Sequence, residues 1–188
     1  MENLLGGNAN DTFAFADGAT VGGNIDGNGG YDTLDYSLYT TSRSYNLTAI
    51  GTSDGYNGTE ATLATESGVG FFDIDGINGS NRDATSNDDR ITGGNLNTDF
   101  FITNTDAGRI EDVASSQDLD FTQVESLTGN AQQDRFVFSN DATLRGDIAG
   151  QGGDDTLDYS AYTDATDARR IALSATNATY GGFDGTDT

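Results

Sequence analysis

The most constraining feature of this sequence is that it repeats itself. Sliding the 188-residue chain by 123 positions lays Glu2–Thr40 on Glu125–Thr163 without a gap, and 21 of the 39 positions are identical. The phrase "GGYDTLDYS" at Gly29–Ser37 returns as "GGDDTLDYS" at Gly152–Ser160. With small insertions, "NLTAIGTSDGYNGT" at 46–59 echoes "ALSATNATYGGFDGT" at 172–186. A chain that carries the same pattern twice must fold it the same way twice, so the unit is a structural module. We divide the chain into a first unit, residues 1–124, whose part 60–124 is divergent, and a truncated second unit, residues 125–188. One and a half units imply a piece of a longer array.

Within the copies the apolar residues alternate in short bursts, "DTFAF", "DTLDYSLY" and "DRFVF", bounded by Gly, Asn and Asp. Period two over four to eight residues between turn-formers predicts β-strands, and helix signals are nearly absent. In "DTLDYSLY", alternation puts Leu34, Tyr36 and Leu38 on one face and Thr33, Asp35, Ser37 and Tyr39 on the other. A second spacing runs above the first. Leu4 to Ile25, Phe13 to Leu34 and Phe15 to Tyr36 are each 21 residues apart, as are Leu127–Ile148, Phe136–Leu157 and Phe138–Tyr159. This predicts an all-β chain, a parallel β-solenoid (β-helix) with coils of about 21 residues that stack like on like. Tandem β-sandwich domains of the adhesin type are the alternative. The lack of proline and the half-unit boundary favour the solenoid. In the divergent part, "IDGINGS" and "DDRITG" read as looser versions of "ENLLGG" and "DTFAF", with residues 80–89 as an exposed loop.

Composition narrows the function. There are 26 Asp, five Glu, eight Arg and no Lys, His, Cys, Pro or Trp, for a net charge of −23. That charge repels phosphate backbones and anionic lipid, which excludes nucleic-acid partners. No apolar run approaches the roughly 18 residues of a membrane span, so membrane insertion is not expected. Without His or Lys, Ser-His-Asp catalysis and lysine cross-links are impossible. Aspartates that recur in both copies point to structure, so the chain is read as a non-enzyme. A polysaccharide-binding or polysaccharide-cleaving β-helix using paired aspartates is kept as an alternative. Leu, Ile, Val and Phe make only 36 of the residues, a composition near the disordered boundary. Such a chain gains from anything that neutralises its carboxylates.

"DGNGGYDTLDY" (26–36) and "AGQGGDDTLDY" (149–159) resemble the nonapeptide of RTX, or haemolysin-type calcium-binding, proteins, G-G-x-G-x-D-x-U-x with U a large apolar residue. Gly27, Gly30, Asp32 and Leu34 fit, as do Gly150, Gly153, Asp155 and Leu157. Asn28 and Gln151 stand where the second glycine belongs, and each copy has one nonapeptide where the family has several in tandem. The resemblance implies calcium. The residue types agree, because Ca²⁺ takes six to eight hard oxygens in a sharply bent loop. Asp26, Asp32 and Asp35, with Asp147, Asp154, Asp155 and Asp158, are the candidate metal ligands. The same aspartates can instead close turns on their own backbone.

The wider order "ExLxG…DxFxF…DTLDYS" is similar to repeats of very large secreted bacterial surface and adhesin-like proteins. It implies an extracellular or cell-surface, bacterial segment of a surface or matrix protein. Such a segment acts as a spacer, an adhesive stalk or a self-associating fibre unit, or as a calcium-gated folding module of a secreted RTX-type protein. Its partners are then neighbouring repeats, further copies docked end to end and, for an adhesive role, a surface glycan. Phe13, Phe15, Tyr36, Phe136, Phe138 and Tyr159 are read as a stacked core ladder in preference to a sugar platform. Asp35, Ser37, Tyr39, Asp158, Ser160 and Tyr162 are read as facing outward.

Overall fold

The computed structural model describes residues 3–60, 63, 70–81 and 89–163, together with the backbone of two strands at 171–176 and 183–187. Much of the expected loop (82–88) and parts of the second copy's tail, 164–170 and 177–182, lie outside the described residues. The protein is all-β, with no helix among those residues.

Sixteen short strands, numbered in chain order, form two mixed eight-stranded sheets. The first sheet holds β1 (Leu4–Leu5), β3 (Ile25–Asp26), β5 (Ser44–Ile50), β6 (Tyr56–Glu60), β7 (Phe71–Ile74), β9 (Arg90–Thr92), β13 (Ser126–Thr128) and β15 (Ile148–Ala149). The second holds β2 (Thr12–Ala14), β4 (Thr33–Asp35), β8 (Gly76–Asn78), β10 (Thr98–Asn104), β11 (Ala107–Asp112), β12 (Asp118–Thr122), β14 (Asp134–Phe138) and β16 (Thr156–Asp158). In space the first runs β1-β3-β7-β6-β5-β9-β13-β15 and the second β2-β4-β8-β12-β11-β10-β14-β16. Strands β17 (Ile171–Thr176) and β18 (Phe183–Asp187) form a separate antiparallel hairpin.

The 21-residue spacing is a parallel register. Leu4 sits beside Ile25 and Phe13 beside Leu34, and 123 residues later Leu127 sits beside Ile148 and Phe136 beside Leu157. Between these blocks the spacing widens because antiparallel strands are inserted. β6 lies between β5 and β7, and β11 between β10 and β12, so the parallel partners jump to Ile25–Phe71 and Tyr45–Ile91. Each central strand carries a glycine where a phenylalanine ring crosses it. A Cβ on Gly58 would meet Phe71 Cζ at 2.3 Å, and one on Gly108 would meet Phe121 Cζ at 3.0 Å and the Phe101 carbonyl oxygen at 1.9 Å. The bulge of β5–β6 between Leu47 and Ala49 reappears in β17–β18 between Leu173 and Ala175. The second copy thus repeats the hairpin as well as the strands.

Both sheets contribute to one buried cluster that includes Ile25, Phe71, Tyr45, Ile91 and Leu127 from the first and Leu34, Ile77, Phe121, Phe100 and Phe136 from the second. Aromatic rings stack along it. Phe15 and Tyr36 lie 4.4 Å apart with nearly parallel rings, Phe138 and Tyr159 lie 4.9 Å apart, and Phe100 and Phe136 lie 4.7 Å apart. Such pairs add about 0.5–1.5 kcal/mol each beyond their burial. The ladder reading of the aromatics agrees with these contacts.

Three sequence readings need correction. Alternation stops at Tyr36: the Asp35 carboxylate accepts the Ser37 N–H, and the Tyr39 N–H returns to the Tyr36 carbonyl. This turn leaves Leu38 exposed and folds Tyr39 back into the core, and it leaves Tyr162 partly buried in the second copy. The middle motifs are assigned to the opposite sheets. "IDGINGS" supplies β8, beside β4, and "DDRITG" supplies β9, beside β13. The reading failed because "FFDI", not "IDGI", is the strand that follows β3. Finally, the ends of the expected exposed loop are interior. Ser80 and Asp89 are buried, and the Ser80 N–H and hydroxyl both donate to the Asp89 carboxylate.

Candidate functional site

Six passages lead from a first-sheet strand to the following second-sheet strand, and in five of them an aspartate stands just before or at the start of the second strand; the passage from β9 to β10 has Asn97 there instead. The Asp11 N–H donates to Asp32 Oδ1 at 2.8 Å, and the Asp32 N–H donates to Asp75 Oδ2 at 2.8 Å. In the second copy the Asp134 N–H donates to Asp155 Oδ1 at 3.1 Å. The lower members also cap their own turns: Asp11 Oδ2 accepts the Gly7 N–H and Asp134 Oδ2 the Asn130 N–H, both at 2.7 Å. The result is an interrupted column of carboxylates, Asp11–Asp32–Asp75 in the first copy and Asp134–Asp155 in the second, with β12, β11 and β10 between them, in which the next layer's side chain holds the amides of Asp11, Asp32 and Asp134.

This column carries more charge than it compensates. Asp32 and Asp134 are buried, and Asp32 Oδ2, Asp134 Oδ1 and Asp54 Oδ1 are enclosed without a hydrogen-bond partner. Among the described residues no arginine pairs with Asp32, Asp54, Asp75, Asp134 or Asp155. Burial therefore raises the protonation range of Asp32, Asp75, Asp134 and Asp155. Asp75 is pushed up to about 6 by burial, with the charges of Asp54 and Asp32 adding to it. Asp134 is pushed up to about 6 by burial and the charge of Asp155. Asp32 and Asp155 are raised for the same first reason. The Asp54 carboxylate reaches this corner from the β5–β6 turn and accepts the Gly30 N–H at 3.3 Å.

The opposite corner is compensated in part by two arginines, though burial still raises Asp89 and Glu125. Asp89 accepts the Arg43 N–H at 2.5 Å and its own N–H donates to Glu125 Oε2 at 2.8 Å. The Arg43 guanidinium lies 3.4 Å from Glu60 and over the Tyr39 ring. Arg145 pairs with both Asp106 and Glu125.

The seven aspartates singled out in the sequence fall into distinct groups. Asp32 and Asp155 belong to the column. Asp35 and Asp158 close turns, onto the N–H groups of Ser37 and Ser160, and Asp158 also binds Arg135 at 3.0 Å. Its hydrogen bonds from Ser160, with Arg135 beside it, hold the Asp158 carboxyl below the usual range. Asp26 accepts the Asn28 N–H at 3.1 Å, while Asp147 and Asp154 are exposed. Among the described residues no three carboxylates converge as a metal-holding group. The fit to calcium rests on the orphaned oxygens of the column and on backbone carbonyls beside it. A Cβ on Gly27 would lie 2.2 Å from the Asp73 carbonyl oxygen and 2.5 Å from Asp32 Oδ2.

Sequence reasoning missed Asp11, Asp54, Asp75 and Asp134. Asp11 and Asp134 carried a usable signal, since they occupy the same position in the two copies. Asp54 and Asp75 carried none, because inserted strands bring them to the corner.

The glycine pattern is also explained. Gly30 and Gly153 adopt φ of 118° and 113°, and Asn28 and Gln151 adopt φ of 69° and 74°. Asn28 and Gln151 thus hold a left-handed backbone with a side chain in place. Gly29 has nothing within 4 Å of its Cβ position. Compared with models of known families, with curated proteins and with solved structures, the chain matches none.

Proposed function

We propose that this chain is a non-enzymatic, extracellular repeat segment of a large surface or matrix protein, folded as a β-solenoid with inserted hairpins. It serves there as a spacer or adhesive stalk. The observation that carries this reading is the join between copies. β9 pairs in parallel with β13, and β10 with β14, so the second copy adds to the same two sheets as the first. Adding a unit of this kind lengthens the stack and exposes the same outer faces again. A sandwich domain would close its own core before the next began. The repeated carboxylates support a structural role, since Asp11–Asp32 and Asp134–Asp155 make the same contact. An extracellular setting follows from the resemblance to secreted repeats. Among the described residues no helix is long and apolar enough to cross a membrane.

The test is hydrodynamic. Small-angle scattering on this chain and on one carrying an additional 123-residue unit separates the readings. A solenoid gains length at constant cross-section, whereas two sandwich domains give a jointed pair with a variable angle. A catalytic β-helix would instead depolymerise acidic glycans.

A second reading, that calcium gates folding, is favoured by the uncompensated carboxylate column. Divalent cations bound at its orphaned oxygens would replace protons as the neutralising partner, coupling folding to a calcium-rich medium.

A further inference from the structure

We propose that the hollow on the outer face of the second sheet, over β10, β11 and β12, binds a neutral sugar residue of a surface glycan, with Arg109 and Asp120 as its hydrogen-bonding pair. This rests on the adhesive-stalk reading above and gives that stalk its contact point.

The hollow follows from the strand register. Phe101, Arg109, Asp120 and Gly76 stand opposite one another in one row across β10, β11, β12 and β8. Beside that row the β10–β11 pairing bulges between Ile102 and Asn104, and a bulge interrupts the ladder and re-aims side chains. A cavity of about 390 Å³ lies there, lined by Phe101, Thr103, Gly108, Arg109 and Asp120. That volume is in the range of small-ligand sites.

Its polar groups are held in place with capacity to spare. The Arg109 guanidinium lies over the Phe101 ring, 5.0 Å from its centroid, and is braced by Glu111 at 2.8 Å and Asp118 at 3.6 Å. A guanidinium has five N–H donors, so donors remain beyond those two ion pairs. Asp120 Oδ2 accepts the Tyr31 hydroxyl at 2.7 Å, which fixes the carboxylate and leaves Oδ1 as an acceptor. Tyr31 reaches it by lying over Gly76, where a Cβ would come within 3.2 Å of the hydroxyl. Tyr31 is also the one residue at which "GGYDTLDYS" and "GGDDTLDYS" differ, with Asp154 in its place in the second copy. The turn itself does not require a tyrosine there; the reach to Asp120 does.

The surroundings select the ligand class. β10, β11 and β12 are interior strands of their sheet, so an extended peptide finds no edge to join. Asp99, Glu111 and Asp118 form the adjacent row, so the face is acidic and repels an anionic sugar. Arg109 at the centre of the hollow opposes a cationic ligand in the same way. Phe101 is the one hydrophobic side chain of the five lining residues, which leaves an apolar ligand little to bury against. A carboxylate acceptor and a guanidinium donor side by side, with the Phe101 ring behind the guanidinium, match the adjacent hydroxyls of a neutral sugar.

The probes are maltotriose, cellotriose and mannotriose, with trigalacturonic acid as the anionic counterpart, titrated into the full chain and followed by saturation-transfer difference NMR. At least one neutral trisaccharide should bind saturably, and more tightly than the anionic one. Arg109→Ala or Asp120→Ala should weaken that binding about tenfold, as expected for losing a hydrogen-bonding group that is charged. Tyr31→Phe, which frees the Asp120 carboxylate, should weaken it less. Thr12→Ala, an exposed change farther along the same row of the sheet, should leave it unchanged. These side chains lie at the surface, so the variants are expected to fold, and circular dichroism checks this. No binding of the neutral probes, preference for the anionic one, or binding indifferent to Arg109→Ala and Asp120→Ala overturns the proposal. Each of these results leaves the scattering test of stacked units standing, so the two failures are distinguishable.

Discussion

The backbone N–H of Asp11 donates to Asp32 Oδ1 at 2.8 Å, while Asp32 Oδ2 is enclosed without a partner. One oxygen of a fully buried carboxylate joins two layers of the fold, and the other holds charge that nothing neutralises. The pH dependence follows. Asp75 and Asp134 are raised to about 6 from an ordinary 3.8, and Asp32 is also raised, by burial first. Between about 4 and 6 the folded chain binds more protons than the unfolded one, so stability rises as pH falls through 6. Above 6 the destabilisation is fully present. Asp158 acts in the opposite sense, since its lowered pKa withdraws stability once the pH drops below the ordinary carboxylate range. In metal-free buffer, thermal unfolding should show a higher Tm at pH 5 than at pH 7.5, with a decline in more acid solution. A Tm that falls steadily from neutrality downward would contradict this account. Relief of the −23 net charge acts in the same direction.

The aromatic ladder should dominate stability locally. Tyr36 is fully buried, stacks on Phe15 at 4.4 Å and points its hydroxyl at Glu60 Oε2, 3.2 Å away. Tyr36→Ala is expected to cost about 3–5 kcal/mol, in the range of large-to-small core changes. Leu38→Ala, two residues on at a position 66 % exposed, should change stability by less than about 0.5 kcal/mol. Urea unfolding of the two variants compares them directly, and equal effects would mean that the strand continues past Tyr36.

The glycines of the motif should divide by geometry. Gly30 has φ of 118°, and a Cβ there would sit 2.7 Å from the Ala9 carbonyl carbon, so Gly30→Ala is strongly destabilising. Gly29→Ala meets open space and should be nearly neutral. Gln151 holds φ of 74°, a conformation that costs a side-chain-bearing residue roughly 1–2 kcal/mol. Gln151→Gly should therefore stabilise by about 1 kcal/mol, offset in part by the greater freedom of glycine in the unfolded chain. Denaturant midpoints of these three variants check the order.

Much of the fold was legible because stacked layers copy their chemistry. The pairs Leu4–Ile25 and Phe13–Leu34 could be read directly, since a parallel layer of fixed length puts like beside like. The inserted strands could not. Tyr45 reaches Ile91 after 46 residues and Phe100 reaches Phe136 after 36, and no spacing repeats often enough to reveal that. The candidate site was split in the same way. Asp32 and Asp155 stood in a motif, whereas Asp54 and Asp75 join them only through β5–β6 and β7. Tyr39 was misread because local turn chemistry at Asp35 overrides alternation.

Calcium and protons compete for the same need, and Asp32 separates them. If the column takes calcium, the metal stabilises by RT ln(1 + [L]/Kd), about 2.7 kcal/mol at a hundredfold excess over Kd. The urea midpoint at pH 7.5 should then be higher in millimolar calcium than in EDTA, and the increment should shrink as the pH falls below 6 and protons replace the ion. Asp32→Asn keeps an acceptor for the Asp11 N–H but removes the buried charge. It should equal or exceed the parent in EDTA, reduce the stability gained on acidification while leaving the share of Asp134, and lose the part of the calcium increment that the first copy supplies. Asp32→Ala leaves the Asp11 N–H without its acceptor and should cost roughly 1–3 kcal/mol in both buffers. Identical midpoints for the parent in calcium and EDTA would mean that the column binds no metal. Its carboxylates would then be hydrogen-bond acceptors whose charge is relieved by protonation alone.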